Sequence, residues 1–164
     1  MRNNRFIHIL LAFALVLCVF SFGCASMRHA SIKENYIHQQ MANYAYKTNI
    51  NNLLSAARAL LFRYGYQVRG PGRGYQMETE WGYTDTEGTF RRYLVTAYQN
   101  ADGTNSIHFD FIEETQNEGH PPYTTSGRDY AMEYELLRSI DSQGWAAVEK
   151  AAEAYADQKM ASDK

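Results

Sequence analysis

The chain has very little cysteine. Of its 164 residues only two are cysteine, Cys18 and Cys24. Cys18 lies within an apolar run near the N-terminus, so a domain that follows this run carries no thiol beyond Cys24. The scarcity excludes an internal disulfide, a catalytic thiol and a thiolate metal site from such a domain. Its fold must therefore rest on the packing of a hydrophobic core.

The chain also lacks an excess of positive charge. Lys and Arg together number 16 against 18 Asp and Glu, which makes the formal net charge −2 at pH 7. Removal of an N-terminal segment that contains Arg2 and Arg5 would make the remainder more acidic. This balance argues against binding to nucleic acid or to anionic lipid headgroups.

The longest apolar run is short, and a cysteine follows it. After a basic start comes the uncharged run Phe6–Gly23, whose apolar part is Ile9–Phe20. These are the parts of an export signal. The string Ser21-Phe22-Gly23-Cys24 resembles the lipobox of bacterial lipoproteins, in which the cysteine is diacylated and becomes the first residue after cleavage. The resemblance implies a signal peptide at 1–23 and lipidation of Cys24.

Two other interpretations of this segment stay open, ordinary secretion and an uncleaved membrane anchor. A membrane span needs roughly 20 apolar residues, and Ile9–Phe20 is shorter than that. Ser21 and Phe22 differ from the residues usual in a lipobox, whereas Gly23 matches. The residues after Cys24, Ala25-Ser26, resemble the outer-membrane default of such proteins. The expected location is therefore the outer membrane, lipid-anchored and facing the periplasm.

The residues after the cysteine suggest a tether and then one domain. Residues 24–33 are polar and small and are predicted to be a tether, and residues 34–164 are enough for one domain. Within it, apolar residues at helical spacing predict a helix over Ile50–Tyr64. Gly65 is suited to end this helix in a left-handed conformation.

Alternating apolar residues predict an antiparallel sheet of about four strands. The strands are Tyr66–Arg69, Tyr75–Tyr83, Phe90–Tyr98 and Ser106–Ile112. Asp102-Gly103 predicts a two-residue turn. This turn places Tyr98 opposite Ile107, and a loop that pairs Tyr83 with Phe90 places Thr79 opposite Leu94. The two registers agree and put one set of side chains on the covered face of the sheet: Tyr75, Met77, Thr79, Trp81, Leu94, Thr96, Tyr98, Ile107, Phe109 and Phe111. Trp81 is therefore expected in the core.

The C-terminal part predicts a long helix. Ser126 is expected to cap a helix that runs to about Asp141, and Gly144 interrupts or kinks an apolar stripe that continues beyond it. The order of elements predicts an α+β two-layer sandwich. Its antiparallel sheet carries an N-terminal helix and a long C-terminal helix on one face.

Two groups of residues are candidates for sites of chemistry. Gly70, Gly72 and Gly74 lie between predicted strands, which favours a hairpin turn over a phosphate-binding loop. The residues of the predicted exposed face of the sheet are Glu78, Glu80, Arg91, Tyr93, Val95, His108 and Asp110. They include three carboxylates and one histidine. Because only one histidine is present and no metal-ligand spacing accompanies it, this face predicts neither a metal site nor catalysis. No cofactor is expected.

A stiff segment offers a place for a protein partner. His120, Pro121, Pro122 and Tyr123 form an exposed aromatic and proline stretch, and prolines reduce the ordering cost of binding. The segment is therefore the candidate partner-binding site, although a plain loop is the favoured interpretation. Ser126 and Ser139 lack the context of a nucleophilic serine.

Three strings in the domain resemble those of known lipoproteins. They are Leu60–Val68, a helix ending in Gly-Tyr, then Glu78–Trp81, and then Arg91–Val95. The pattern is similar to the small domains of the C lipoprotein of the outer-membrane β-barrel assembly machinery and of related proteobacterial lipoproteins. It spans about Ile50–Ile112, and this chain has one such domain where that family has two.

The sequence as a whole predicts an outer-membrane lipoprotein with a non-catalytic binding or envelope-assembly role and an envelope protein as partner. Two alternatives stay open. One is an envelope hydrolase or metal-dependent enzyme that uses Glu78, Glu80, His108 and Asp110. The other is a lipoprotein that binds lipid or glycan between the sheet and the helices.

Overall fold

The computed structural model describes residues 25–69, 74–116 and 119–163. The expected signal peptide at 1–23 and the expected lipidation site at Cys24 lie outside the described residues, as do Gly70 and Gly72. None of the helices within the described residues combines the length and the apolar character that crossing a bilayer requires.

Within the described residues the fold is α+β, as the sequence predicts, with four helices and an antiparallel sheet. The helices are α1 at 25–42, α2 at Ile50–Arg63, α3 at Tyr130–Ile140 and α4 at Ser142–Ser162. The strands are β1 at Val68–Arg69, β2 at Gln76–Thr79, β3 at Gly82–Tyr83, β4 at Thr89–Gln99, β5 at Asn105–Thr115 and β6 at Tyr123–Arg128. The sheet order is β1-β2-β4-β5-β6, and β3 also pairs with β4. The sheet thus has six strands where about four were predicted.

Strand β6 replaces the beginning of the predicted C-terminal helix. Ser126 lies within this strand and pairs with Ile112 of β5, so the prediction that Ser126 caps a helix is wrong. The cap of α3 is Asp129, whose Oδ1 accepts a hydrogen bond from the Met132 N–H at 3.0 Å. A carboxylate at this position satisfies one of the free N–H groups of the first helical turn.

The chain divides into two compact units. The larger unit, Ile37–Val148, contains the sheet, α2 and α3. In the smaller unit, residues of α1 up to Tyr36 pack on residues of α4 from Glu149 onward. There Lys33 pairs with Glu149 and Glu153, and the rings of Tyr36 and Tyr155 lie 4.9 Å apart. The segment expected to be a tether at 24–33 is helical from residue 25.

The register of β4 differs by one residue from the prediction on both of its sides. On the β5 side, the Asn100 N–H donates to the Thr104 carbonyl at 2.8 Å, which makes the turn one residue longer than a two-residue turn. Gly103 takes φ +82° in this turn, the left-handed residue that such hairpin loops require. Ala97 therefore faces Ile107, where Tyr98 was expected.

On the other side of β4 the ladder contains a β-bulge. Tyr83 faces Phe90 as predicted, but Glu78 faces Leu94. Residues 79–81 therefore lie opposite only 92 and 93, and an extra residue of this kind shifts the register of everything beyond it. The Tyr93 N–H donates to Thr79 Oγ1 at 2.9 Å, a side-chain bond at the point where the ladder is interrupted.

The one-residue shift exchanges the two faces of β4. Tyr93, Val95 and Ala97 are buried, whereas Leu94 and Tyr98 are 42% and 43% exposed. Trp81 is 40% exposed and lies beside Arg92, whose guanidinium carbon is 5.0 Å from the centre of its ring. The predictions that Trp81, Leu94 and Tyr98 belong to the core are wrong. Met77, Thr79, Ile107 and Phe109 are buried as expected.

The core of the larger unit lies between the sheet and the helices α2 and α3. Helix α2 contacts β4 and α3 contacts β5. The side chains that are almost fully buried between them are Leu53, Ala57, Leu60, Leu61, Val95, Phe109, Leu136 and Leu137. The helical spacing predicts an apolar stripe of Leu53, Leu54, Ala57, Leu60, Leu61 and Tyr64. Four of these residues are buried on α2 as expected, whereas Leu54 is half-buried and Tyr64 is 51% exposed.

Helices α3 and α4 break at Asp141, before the glycine that was expected to mark the break. The Asp141 Oδ1 accepts a hydrogen bond from the Gly144 N–H at 2.8 Å and so caps the start of α4. A Cβ at Gly144 would lie 2.1 Å from the Tyr44 hydroxyl oxygen. Tyr44 in turn donates to Asp141 Oδ2 at 3.0 Å. Gly144 is thus a packing residue that lets Tyr44 reach this cap.

Candidate functional site

The larger unit contains an open cleft of about 460 Å³. Its lining comes from the end of α2, from the β3–β4 hairpin, from β4 and β5, and from the start of α3. We call it the tyrosine cleft, and its aromatic and charged lining residues are Tyr64, Tyr66, Tyr83, Asp85, Arg91, Tyr93, Glu113, Asp129 and Glu135.

Two tyrosine rings form the floor of the tyrosine cleft. The rings of Tyr66 and Tyr93 pack edge to face, with centroids 4.9 Å apart and an angle of 90° between their planes. Gly82 makes room for this arrangement, because a Cβ at that position would lie 2.8 Å from Cε1 of Tyr66. Edge-to-face packing of this kind holds both rings in fixed orientations.

Arg91 is held in the cleft by three neighbours. Its Nε and Nη2 donate to Glu113 Oε2 at 2.9 and 2.6 Å. Its Nη1 donates to the Tyr93 hydroxyl at 3.3 Å and lies 3.5 Å from Asp129 Oδ2. Burial by itself would lower the pKa of Arg91, but the hydrogen bonds to Tyr93 and Glu113 outweigh it and raise the pKa. The guanidinium is therefore a fixed positive charge.

Tyr93 connects this arginine to the cap of α3. Its hydroxyl donates to Asp129 Oδ2 at 2.7 Å, while the other oxygen of Asp129 accepts the bond from Met132. Burial raises the pKa of Tyr93, so at neutral pH the hydroxyl keeps its proton and serves as a donor. The network orients Arg91, Tyr93 and Asp129 before any ligand arrives.

The groups at the mouth of the cleft are exposed. Tyr83 is 83% exposed and Tyr64 is 51% exposed, and Asp85 and Glu135 stand near them in the lining. Arg91 is the only cationic side chain among the described lining residues, and four carboxylates oppose it. Glu135 also pairs with Arg138 outside the lining, at 3.6 Å. The four lining carboxylates still outnumber the one lining cation, so the cleft carries an excess of negative charge.

The described lining contains no histidine, cysteine, lysine or serine. It offers the hydroxyls of Thr84 and Thr86 and four carboxylates. The polar groups of Arg91, Tyr93, Glu113 and Asp129 are engaged with one another. Such an arrangement suits the binding of a ligand by aromatic faces and carboxylates.

The residues of the predicted charged face do not converge on one site. Glu78 is paired with Arg92 at 2.7 Å and Glu80 with Arg69 at 2.8 Å. His108 packs against the ring of Tyr98, with centroids 4.9 Å apart. Glu78 and Glu80 thus each have their own arginine, as on an ordinary solvated sheet face.

Three residues expected on the charged face lie on the opposite side of the sheet. The shift of β4 places Arg91, Tyr93 and Val95 toward the helices, so the expectation that they face solvent is wrong. Arg91 and Tyr93 thereby enter the tyrosine cleft. The signal that could have found this site is the alternation in Arg91-Arg92-Tyr93, but it could be assigned to a face only with the correct register.

The predicted partner segment is exposed. His120, Pro121, Pro122 and Tyr123 are all exposed, and Tyr123 keeps 64% of its surface accessible. Tyr123 is also the first residue of β6. The segment therefore leads directly into the last strand of the sheet.

Among the described residues, one group in the smaller unit has the composition of a metal site. His29 Nε2 lies 3.1 Å from Asp157 Oδ1 and 3.7 Å from Glu153 Oε1. Glu153 Oε2 also lies 2.9 Å from the Lys33 ammonium nitrogen. The side chains of Glu153 and Asp157 are both more than half exposed. Alternating charges between two helices explain this group without an ion.

Comparison of the chain with known proteins identified no similar protein. No protein-family model matches the chain, and no curated protein or solved structure matches it either. The resemblances to the lipobox and to the C lipoprotein of the barrel-assembly machinery stay predictions.

Proposed function

We propose that this chain is a lipoprotein of the outer membrane that faces the periplasm, is anchored through Cys24 and has a non-catalytic binding role in the cell envelope. The observation that carries the binding role is the tyrosine cleft, whose arginine and buried tyrosine are held in place by Glu113 and Asp129. A preorganised cleft loses little side-chain entropy when a ligand binds.

The chemistry of the cleft mouth favours a positively charged ligand group. Tyr83 and Tyr64 present exposed ring faces, and an ammonium or guanidinium over such a face gains about 0.5–1 kcal/mol. Asp85 and Glu135 add carboxylates beside these rings. The group that fits is a lysine or arginine side chain on an exposed segment of an envelope protein.

The anchor is tested by replacing Cys24. With Cys24→Ala, labelled palmitate is expected to enter the wild-type protein and not the variant, since the predicted acyl acceptor is the only thiol outside the apolar run. The variant is expected to leave the outer-membrane fraction while its thermal unfolding stays unchanged. Equal labelling of both proteins would contradict the lipoprotein assignment and leave the binding role untouched.

The cleft is tested by titrating the full chain with a fluorescent peptide of alternating Lys and Ala, and with a Glu-Ala peptide of equal length. The Lys-Ala peptide is expected to bind and the Glu-Ala peptide not. Tyr83→Ala and Asp85→Asn are each expected to weaken binding by about 3- to 5-fold, the size of an exposed cation–π contact or charge pair. Added salt should weaken it further.

Two matched controls separate the cleft from general surface charge. Tyr75 is 50% exposed and Glu87 is exposed on the same hairpin as Asp85, but neither lines the cleft. Tyr75→Ala and Glu87→Gln are expected to change the affinity by less than about 2-fold. Equal losses in the control and cleft variants, or binding of a neutral glycan that salt does not affect, would argue against a cationic ligand.

A further inference from the structure

Strand β6 lies at an open edge of the sheet. The strand order ends at β6, and within the described parts of the chain no other strand pairs with its outer side. The opposite edge is β1, which has only two residues, whereas β6 has six. A long edge strand presents a row of unpaired N–H and C=O groups to which another strand can bind.

The hydrogen-bonding pattern between β5 and β6 shows which backbone N–H and C=O groups of β6 point away from β5. The Asp129 N–H donates to the Phe109 carbonyl at 2.7 Å, in continuation of the register in which Gly127 faces Phe111. Hydrogen-bonded and non-hydrogen-bonded pairs alternate along an antiparallel ladder. The backbone groups of Thr125 and Gly127 therefore point toward β5, and those of Thr124 and Ser126 point outward. Both of these outward residues are exposed.

From Tyr123 to Gly127, β6 has none of the features that protect an edge strand against pairing. Tyr123 through Gly127 contain no charged residue and no proline, and the register with β5 runs without a bulge. Charges, prolines and bulges are the devices by which edge strands normally avoid other chains. Pro121 and Pro122 precede the strand, so they limit its length without blocking it.

We propose that β6 pairs antiparallel with β6 of a second copy of this chain, around a two-fold axis at Thr125. In this register Thr124 lies opposite the partner's Ser126, and these two residues exchange the outward backbone hydrogen bonds. Thr125 lies opposite the partner's Thr125, and Tyr123 lies opposite the partner's Gly127. The pairing joins the two sheets into one.

A second copy fits this edge because the segment is complementary to itself. The exposed ring of Tyr123 lies opposite the partner's Gly127, beside which the ring of that copy's Phe111 packs, so two aromatic rings come together there. Thr and Ser also pair favourably across strands. Since the segment is uncharged, no like charges meet. A two-fold contact of this kind closes on itself and ends at the dimer.

The far end of the strand limits the pairing. The Arg128 side chain bonds to the carbonyls of Met41 and Ala42 at 3.2 and 3.4 Å, and to Glu133. In the proposed register Arg128 lies opposite the partner's Pro122, which has no N–H to donate. The ladder is therefore short, and we expect a weak, reversible dimer below the size of a standard interface of about 1,200–2,000 Å².

The first experiment removes one outward N–H. The full chain in detergent is examined by sedimentation velocity across a range of concentrations, as wild type, Ser126→Ala and Ser126→Pro. The wild type is expected to dimerise, Ser126→Ala to do so within about 2-fold, and Ser126→Pro at least about 10-fold more weakly. Circular dichroism should be the same for all three, since an outward-facing proline at an edge removes no bond of the sheet itself.

The second experiment tests the two-fold axis with a thiol. Thr125→Cys is expected to form a disulfide-linked dimer under mild oxidation much faster than Ser55→Cys, which places a thiol on the exposed side of α2. The parent chain controls for the native thiols. Wild type that stays monomeric at all concentrations, with no faster crosslinking of Thr125→Cys, would overturn the proposal. So would crosslinking in membranes to a different protein in place of a second copy.

Discussion

Replacing Phe109 by alanine is expected to lower the free energy of unfolding by about 3–5 kcal/mol, the usual cost of truncating a buried aromatic residue. Phe109 is fully buried on β5, and Val95, its partner on β4, is fully buried as well. The cavity left by the ring would face α3, which contacts β5, and could collapse only in part. Chemical denaturation of the full chain measures the loss.

The matched controls are apolar residues on the other side of the same sheet. Trp81→Ala and Leu94→Ala are expected to cost less than about 1 kcal/mol, because Trp81 is 40% exposed and Leu94 is 42% exposed. The opposite result, a large loss at Leu94 or Trp81 and a small one at Phe109, would mean that the register without a bulge is the true one.

Replacing Glu133 by alanine is expected to cost about 3–5 kcal/mol, since it removes one partner of a buried ion pair. Glu133 is 2% exposed and accepts from Arg128 Nε at 2.7 Å and Nη2 at 2.8 Å. It also accepts the Phe109 N–H at 3.1 Å. In the variant Arg128 would lose its counter-ion and keep only the carbonyls of Met41 and Ala42 as acceptors, and the Phe109 N–H would lose its acceptor. Thermal and chemical unfolding measure the effect.

Glu133→Gln is the control that keeps the shape and one acceptor oxygen, so it is expected to cost less than Glu133→Ala. Burial raises the pKa of Glu133 above its ordinary value of 4.5, against the opposing effect of Arg128. A carboxyl whose pKa is raised on folding stabilises the folded state at pH values below 4.5. This contribution is lost as the pH rises through the folded-state pKa. The wild type should therefore lose stability relative to Glu133→Gln as the pH rises from 4.5. A stability difference between wild type and Glu133→Gln that does not change with pH would contradict the raised pKa of Glu133.

The sequence predicted the strands β2, β4 and β5 but not their register, and the reason lies in β4. Both faces of this strand carry apolar residues, with Tyr93, Val95 and Ala97 on one and Leu94 and Tyr98 on the other. The pattern therefore did not show which face is buried. The longer turn and the β-bulge each displaced the predicted register by one residue in the same sense. The two errors agreed with each other, so their agreement was no test of either.

The sequence did not predict the tyrosine cleft, because the cleft depends on the same register. Arg91 and Tyr93 enter it only in the register that the bulge and the turn impose. Asp129, their third partner, was expected inside a helix, whereas it caps α3 after an additional strand. Residues that lie 36 positions apart or more, such as Tyr93 and Asp129, meet only when both elements are correctly placed.

The sequence by itself determined the α+β class, the buried stripe of α2 and the scarcity of thiols, because periodicity and composition are local properties of the chain. The tertiary structure alone decided which face of β4 is buried, where the cleft lies and that β6 forms an open edge. Each of these depends on a one-residue choice of register or on a distant contact, and the free energy that selects it arises only when the whole sheet packs against α2 and α3.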